Sequence, residues 1–171
     1  MVKRKIYDKE GHDVHFVTFS CYKRRRLLDH DDAKRIVIAI LGSQLKNQNG
    51  KCIGFVIMPD HVHALLWFPN NNQLSNFMKQ WKRLSSFRIK KLLKNNLQKY
   101  FSTFDSSDPI WQARYYGFNI FNERKLLEKL QYMHANPVKA KLAECPCDWG
   151  YSSARYYEQG SSVGVQLEWV S

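Results

Sequence analysis

Lys51-Cys52-Ile53-Gly54-Phe55-Val56-Ile57-Met58-Pro59-Asp60-His61-Val62-His63-Ala64-Leu65-Leu66-Trp67-Phe68 is the stretch on which the fold turns. Residues 51–58 and 62–68 are rich in β-branched and aromatic side chains, and only Pro59-Asp60-His61 separates them. The simplest reading is an antiparallel pair joined by a tight turn. Upstream, residues 12–22 carry Val14, Phe16, Val17, Phe19 and Cys21 in a partly alternating order and read as another strand. Between that strand and the pair, Ala33, Ile36, Val37, Ile40, Leu41 and Leu45 recur at spacings of three and four. Asp29, Asp31 and Asp32 stand at the positive end of the backbone dipole and Gly50 lies just beyond, which predicts a helix from 31 to about 47.

Downstream of the pair, Leu74, Phe77, Met78, Trp81 and Leu84 make the apolar stripe of a second helix, from 74 to about 97. A polar loop over 101–109 leads to a strand at 115–121. Asn122 then caps a third helix, with Leu126, Leu127, Leu130 and Met133 as its apolar positions. That helix is expected to stop near Asn136, because Pro137 disfavours helical geometry in the residue before it. The order strand, helix, strand, strand, helix, strand, helix predicts a single α+β domain over 1–171: an antiparallel sheet with helices on one face, in the split β-α-β (ferredoxin/RRM-like) arrangement. The other sheet face would be free, and residues 145–171 would form an irregular C-terminal tail.

Composition narrows the function. With 27 Lys+Arg against 15 Asp+Glu the formal net charge is +12, and from Lys79 to Lys99 there are eight basic residues and no acidic one. A polyanion partner fits this charge better than a membrane does, and the apolar runs are far too short for a transmembrane helix. The basic start at residues 1–5 leads into polar residues rather than an apolar stretch, so it does not read as a secretory signal and the expected compartment is cytoplasmic. The four cysteines form no C-x-x-C pair and read as reduced and structural. Lys79, Arg83, Lys90 and Lys94 share one face of the second helix. With the run Lys23-Arg24-Arg25-Arg26 and the aromatic pair Tyr115 and Tyr116, they are the candidate nucleic-acid contacts.

Two constellations carry chemistry. In the strand that begins near His61, side chains two apart project to one face, so His61 and His63 can seat a divalent metal, although H-x-H alone is a weak signal that more often marks polar residues beside a turn. In the third helix Tyr132 and Asn136, four apart, share a face off the buried stripe. The Asn136 amide oxygen is a neutral hard donor able to complete a two-histidine site for Mg or Mn. His134 lies on a different face and is not assigned as a base.

Four segments then resemble, in order, the signature of the REP-associated tyrosine transposases, the single-tyrosine branch of the HUH endonucleases. They are Met58-Pro59-Asp60-His61-Val62-His63-Ala64-Leu65-Leu66, Trp111-Gln112-Ala113-Arg114-Tyr115-Tyr116, Tyr132-Met133-His134-Ala135-Asn136-Pro137-Val138-Lys139-Ala140 and Asp148-Trp149-Gly150-Tyr151-Ser152-Ser153. The resemblance spans roughly residues 12 to 157. It implies a metal-dependent transposase or nickase that cleaves and rejoins single-stranded, hairpin-containing DNA through a 5′-phosphotyrosine. His61 and His63 would be the metal pair, Asn136 the third ligand and Tyr132 the nucleophile. No small-molecule cofactor beyond the metal is expected, and a homodimer is compatible with the pattern. Two positions depart from the family: Lys141 stands where a glycine is usual, and Asp60 where asparagine is common, the latter read as a cap of the turn. Two other readings stay open, a non-catalytic module derived from a transposase that binds single-stranded or hairpin DNA or RNA, and a metal phosphohydrolase using water as its nucleophile.

Overall fold

The computed structural model describes residues 13–96, 98–102 and 105–170; the basic start at residues 1–5 and the predicted helix end at Leu97 lie outside them. Strand β1 is Val14–Ser20, β2 Lys51–Ile57, β3 His61–Trp67 and β4 Tyr116–Ile120; the helices are α1 Asp31–Asn47, α2 Gln73–Asn96, the short α3 Gln98–Phe101, α4 Glu123–Lys139 and α5 Ala154–Gln159. The strands form one antiparallel sheet in the order β2-β3-β1-β4. The hairpin read from residues 51–68 is the β2-β3 pair, with Ile57 opposite Val62. In β1, His15 pairs with Leu66 and Ser20 with His61, while Val14 faces Ile120 on the other side.

The α+β class and the antiparallel sheet are as expected, but the helices do not all lie on one face. Val17, Phe19, Val62, Ala64 and Leu66 face a core shared with Val37 and Leu41 of α1 and with Phe77, Met78 and Trp81 of α2. Phe16, Ile53, Val56 and Leu65 face a second core closed by Leu126, Leu130 and Met133 of α4. The reason is visible in the hairpin: residues 52–57 and 62–66 are buried without alternation, and a strand apolar on both sides needs cover on both. Gly54 sits under α4, where a Cβ would lie 2.4 Å from Leu130 Cδ1.

Helix α4 also runs past its expected end, through Pro137 to Lys139. Pro137 removes one backbone bond, but its buried ring continues the stripe Leu126, Leu130, Met133 at the same spacing, and that packing holds the turn in place. The stop comes three residues later, at Lys139. Leu142 N–H donates to Pro137 O and Lys141 N–H to Val138 O, both near 3 Å, the paired bonds of a Schellman cap. Lys141 occupies the left-handed position of that cap at φ 59°, where a glycine would fit without a steric cost.

The C-terminal residues are short in regular structure yet firmly docked. Ser152 bridges Val56 and Leu167 bridges Cys52, so the chain covers the outer edge of β2, and Trp149 Nε1 donates to Ile57 O at 3.0 Å. Val163 and Leu167 join the first core. The tail is therefore part of the domain's packing.

Candidate active site

His61 and His63 sit at the start of β3, on the sheet face that α4 covers, with ring centroids 4.8 Å apart. Each ring is fixed through its Nδ1. Thr18 Oγ1, on the neighbouring β1, is 2.6 Å from His63 Nδ1, because the register places Thr18 opposite His63. Asp60 Oδ1 is 2.7 Å from His61 Nδ1, and the other Asp60 oxygen pairs with Arg24 Nη2 at 3.1 Å. Asp60 is thus an orienting group for His61 rather than the turn cap the sequence suggests. With both Nδ1 atoms engaged, Nε2 is the atom each ring can offer to a ligand. Burial, then the neighbouring His61 and the cations Arg24 and Lys129, push His63 down to about 3. Burial also lowers His61, against the opposing pull of Asp60. Both imidazoles are neutral near pH 7, the state a metal ligand requires.

Helix α4 brings Tyr132 across to this pair. Its ring meets His63 edge-on at 5.7 Å between centroids and Phe16 at 6.4 Å, while the side chain remains 44% exposed. Asn136, one turn further along α4, is half-buried. Among the described residues no three His, Cys, Asp or Glu side chains gather into a metal-binding group. His134 points away from this cluster. Its Nε2 is 2.7 Å from Ser153 Oγ, burial lowers it to about 4, and it ties α4 to the docked tail.

The predicted nucleic-acid contacts are scattered by the fold. Tyr116 is 62% exposed and packs against Phe118 on the sheet face that carries the histidines. Tyr115, its neighbour along the strand direction, turns to the opposite side and packs half-buried against the first core. The two are therefore not a joint stacking surface. Lys79, Arg83, Lys90 and Lys94 ride on α2, which packs on the sheet face away from the histidines, and Lys90 Nζ reaches the Ser106 carbonyl. The run at 23–26 lies beside the site, since Cys21 N–H donates to Asp60 O, but its members have local duties as well. Arg24 holds Asp60 and Ser20, Arg25 approaches Asp108 at 3.7 Å, Arg26 forms a two-pronged pair with Asp29, and Lys23 lies over the Tyr22 ring. The sequence reading missed Thr18, the orienting role of Asp60, and two lysines of α4, Lys129 and Lys139, whose ammonium groups lie over Tyr132. The spacing of Lys129 three residues before Tyr132 was the one available signal.

The structure thus defines an α+β protein whose antiparallel sheet brings two imidazoles beside a helical tyrosine, and comparison with known proteins places it in a family. The family model of the IS200-like transposases matches residues 8–136, and the chain belongs to that family. A protein of Haemophilus influenzae described as a REP-associated tyrosine transposase is 31% identical over 106 residues, covering 59% of this chain and 57% of that one. The chain thus spans a little over half the length of that relative. A REP-associated tyrosine transposase of Escherichia coli K12 is 23% identical over 150 residues, covering 88% and 80%. Among solved structures, a REP-associated tyrosine transposase bound to a REP hairpin superposes with TM-score 0.69 at 19% identity, covering 98% of this chain and 93% of its own, a likeness of fold. No helix among the described residues is long and apolar enough to cross a membrane.

Proposed function

We propose that this chain is a transposase that cleaves and rejoins single-stranded DNA carrying a hairpin, with Tyr132 as the nucleophile. The observation that carries the reading is the edge-on contact of Tyr132 with His63, which puts a half-exposed phenol beside two imidazoles whose Nδ1 atoms are already engaged. His61, His63 and Asn136 are the residues that would hold a divalent metal. Mg or Mn bound there would polarise the scissile phosphate and stabilise the leaving oxygen.

The Tyr132 oxygen attacks phosphorus and loses its proton to water as the Tyr132 O–P bond forms. The P–O3′ bond breaks, and the 3′ oxygen takes up a proton to leave as a hydroxyl. One phosphodiester is exchanged for another, so the bond energy is kept for rejoining. Thr18 and Asp60 keep the two rings in place during the exchange, and Arg24 holds the Asp60 side chain in position. The hairpin bound by the solved relative makes a hairpin with a single-stranded flank the natural substrate to test.

The test is to incubate the full chain and Mn or Mg with a labelled hairpin oligonucleotide taken from the DNA beside its own gene, and to look for a covalent protein–DNA band. Wild type should give the band, and Tyr132→Phe should lose it while binding DNA within a few-fold. A band of unchanged yield from Tyr132→Phe would move the nucleophile to another residue.

A further inference from the structure

Two ammonium groups on the histidine face lie over aromatic rings, with no carboxylate in ion-pair contact among the described residues. Lys129 Nζ lies 5.3 Å from the Phe16 ring centroid, 5.1 Å from Phe118 and 5.3 Å from Tyr132. Lys139 Nζ lies 5.5 Å from Tyr132. The one acidic neighbour on this stretch of α4, Glu128, is held by Lys125 at 2.9 Å, and neither Lys129 nor Lys139 makes an ion pair among the described residues. They flank Tyr132 from three residues before and seven after. Beneath them the rings Tyr116, Phe118, Phe16 and His63 form a continuous series across β4, β1 and β3, with neighbouring centroids 5.3 to 5.8 Å apart.

We propose that Lys129 and Lys139 are a phosphate clamp around the nucleophile, and that the DNA single strand passes over the exposed surface from α4 to β4, with its backbone on the two lysines and an unpaired base on Tyr116. The physical case is one of missing partners. Lys129 is half-buried and Lys139 exposed; an ammonium over an aromatic face gains a modest cation–π attraction, and an incoming phosphate replaces that with a charge-assisted hydrogen bond of greater strength. The exposed Tyr116 ring supplies the stacking surface that a single strand uses. In the free protein the same two lysines hold the Tyr132 ring against Phe16 and His63, so they act as positioning residues for it. This assignment rests on Tyr132 being the nucleophile only for its effect on rate. The binding path stands on its own.

Two measurements separate these parts. In the first, affinity for the hairpin oligonucleotide is measured against salt in the Tyr132→Phe background, where no chemistry intervenes. Lys129→Gln and Lys139→Gln should each flatten the slope of log affinity against log salt by about 0.7, the value for one single-strand phosphate contact, and Lys46→Gln on α1, across the sheet, should leave it unchanged. In the second, adduct formation is followed in a single turnover at saturating DNA. Lys129→Gln should slow it at least tenfold with Lys129→Arg recovering most of the loss, because Arg keeps the charge and the ring contact. Unchanged slopes for both glutamine variants would overturn the clamp and the strand path. An unchanged slope with a slowed rate would overturn the phosphate contact and leave only positioning of the ring. If Tyr132→Phe still forms the adduct, the nucleophile assignment fails, and the slopes are then read with the divalent metal withheld so that no cleavage accompanies binding.

Discussion

Replacing Gly54 by alanine tests how closely α4 must approach the sheet. The added Cβ would fall 2.4 Å from Leu130 Cδ1, 3.1 Å from Ser153 Oγ and 3.2 Å from Met133 Cε. Ordinary contact begins near 3.4 Å, so the Leu130 contact has to open by about 1 Å. Leu130 is buried, and Met133 and Ser153 crowd the same spot, so turning one methyl aside does not clear the space. The relief is a displacement of α4, which carries Tyr132 between Leu130 and Met133. Overpacking of this kind costs about 1–3 kcal/mol, and a chain of this length loses roughly 2–4 °C of Tm per kcal/mol. A 1 Å misplacement of a reacting group costs up to about a hundredfold in rate. Gly54→Ala should therefore lower Tm by several degrees, read by circular dichroism, and slow single-turnover adduct formation by about ten- to a hundredfold. Leu130→Val in the same chain, which removes the struck Cδ1, should recover part of the rate. Wild-type Tm and wild-type rate in Gly54→Ala would refute the reasoning, because they would mean that Leu130 rotates freely and α4 is not held at this distance.

Lys141→Gly should raise stability by about 1 kcal/mol, since glycine removes the cost of a left-handed side-chain residue and its greater unfolded-state entropy takes back only part; urea melts read the gain. His61→Ala and His63→Ala should each abolish adduct formation, whereas Asn136→Ala should chiefly raise the Mn concentration needed for half-maximal rate, because imidazole is the stronger ligand. Cleavage that survives chelation and both histidine replacements would remove the metal from the scheme.

Much of the fold is legible in local pattern. The apolar spacing of α1 gives its bounds, the hairpin over 51–68 follows from two β-rich runs and a short turn, and His61 and His63 share a face because strand side chains alternate. Tyr132 and Asn136 share a side of α4 by helical spacing alone. Even the two-sided burial of the hairpin is written in its unbroken apolar runs, although it conflicts with a one-faced sheet. Tyr115 and Tyr116 mark the limit: alternation sends them to opposite sides, and only the packing shows which side is open.

The main strands and helices, their order, the positive charge and the candidate residues for chemistry could be read from the chain alone, because each depends on interactions within a few positions of the sequence. The tertiary structure alone decided that α4 covers the histidine face while α2 takes its lysines to the far side, and that Thr18 grips His63. It also decided that Asp60 links Arg24 to His61 and that Lys129 comes to rest over three rings. These contacts join residues up to about a hundred positions apart and depend on strand register and helix docking. A shift of one residue in the β1–β3 register would turn Thr18 to the opposite face from His63 without altering a single local propensity.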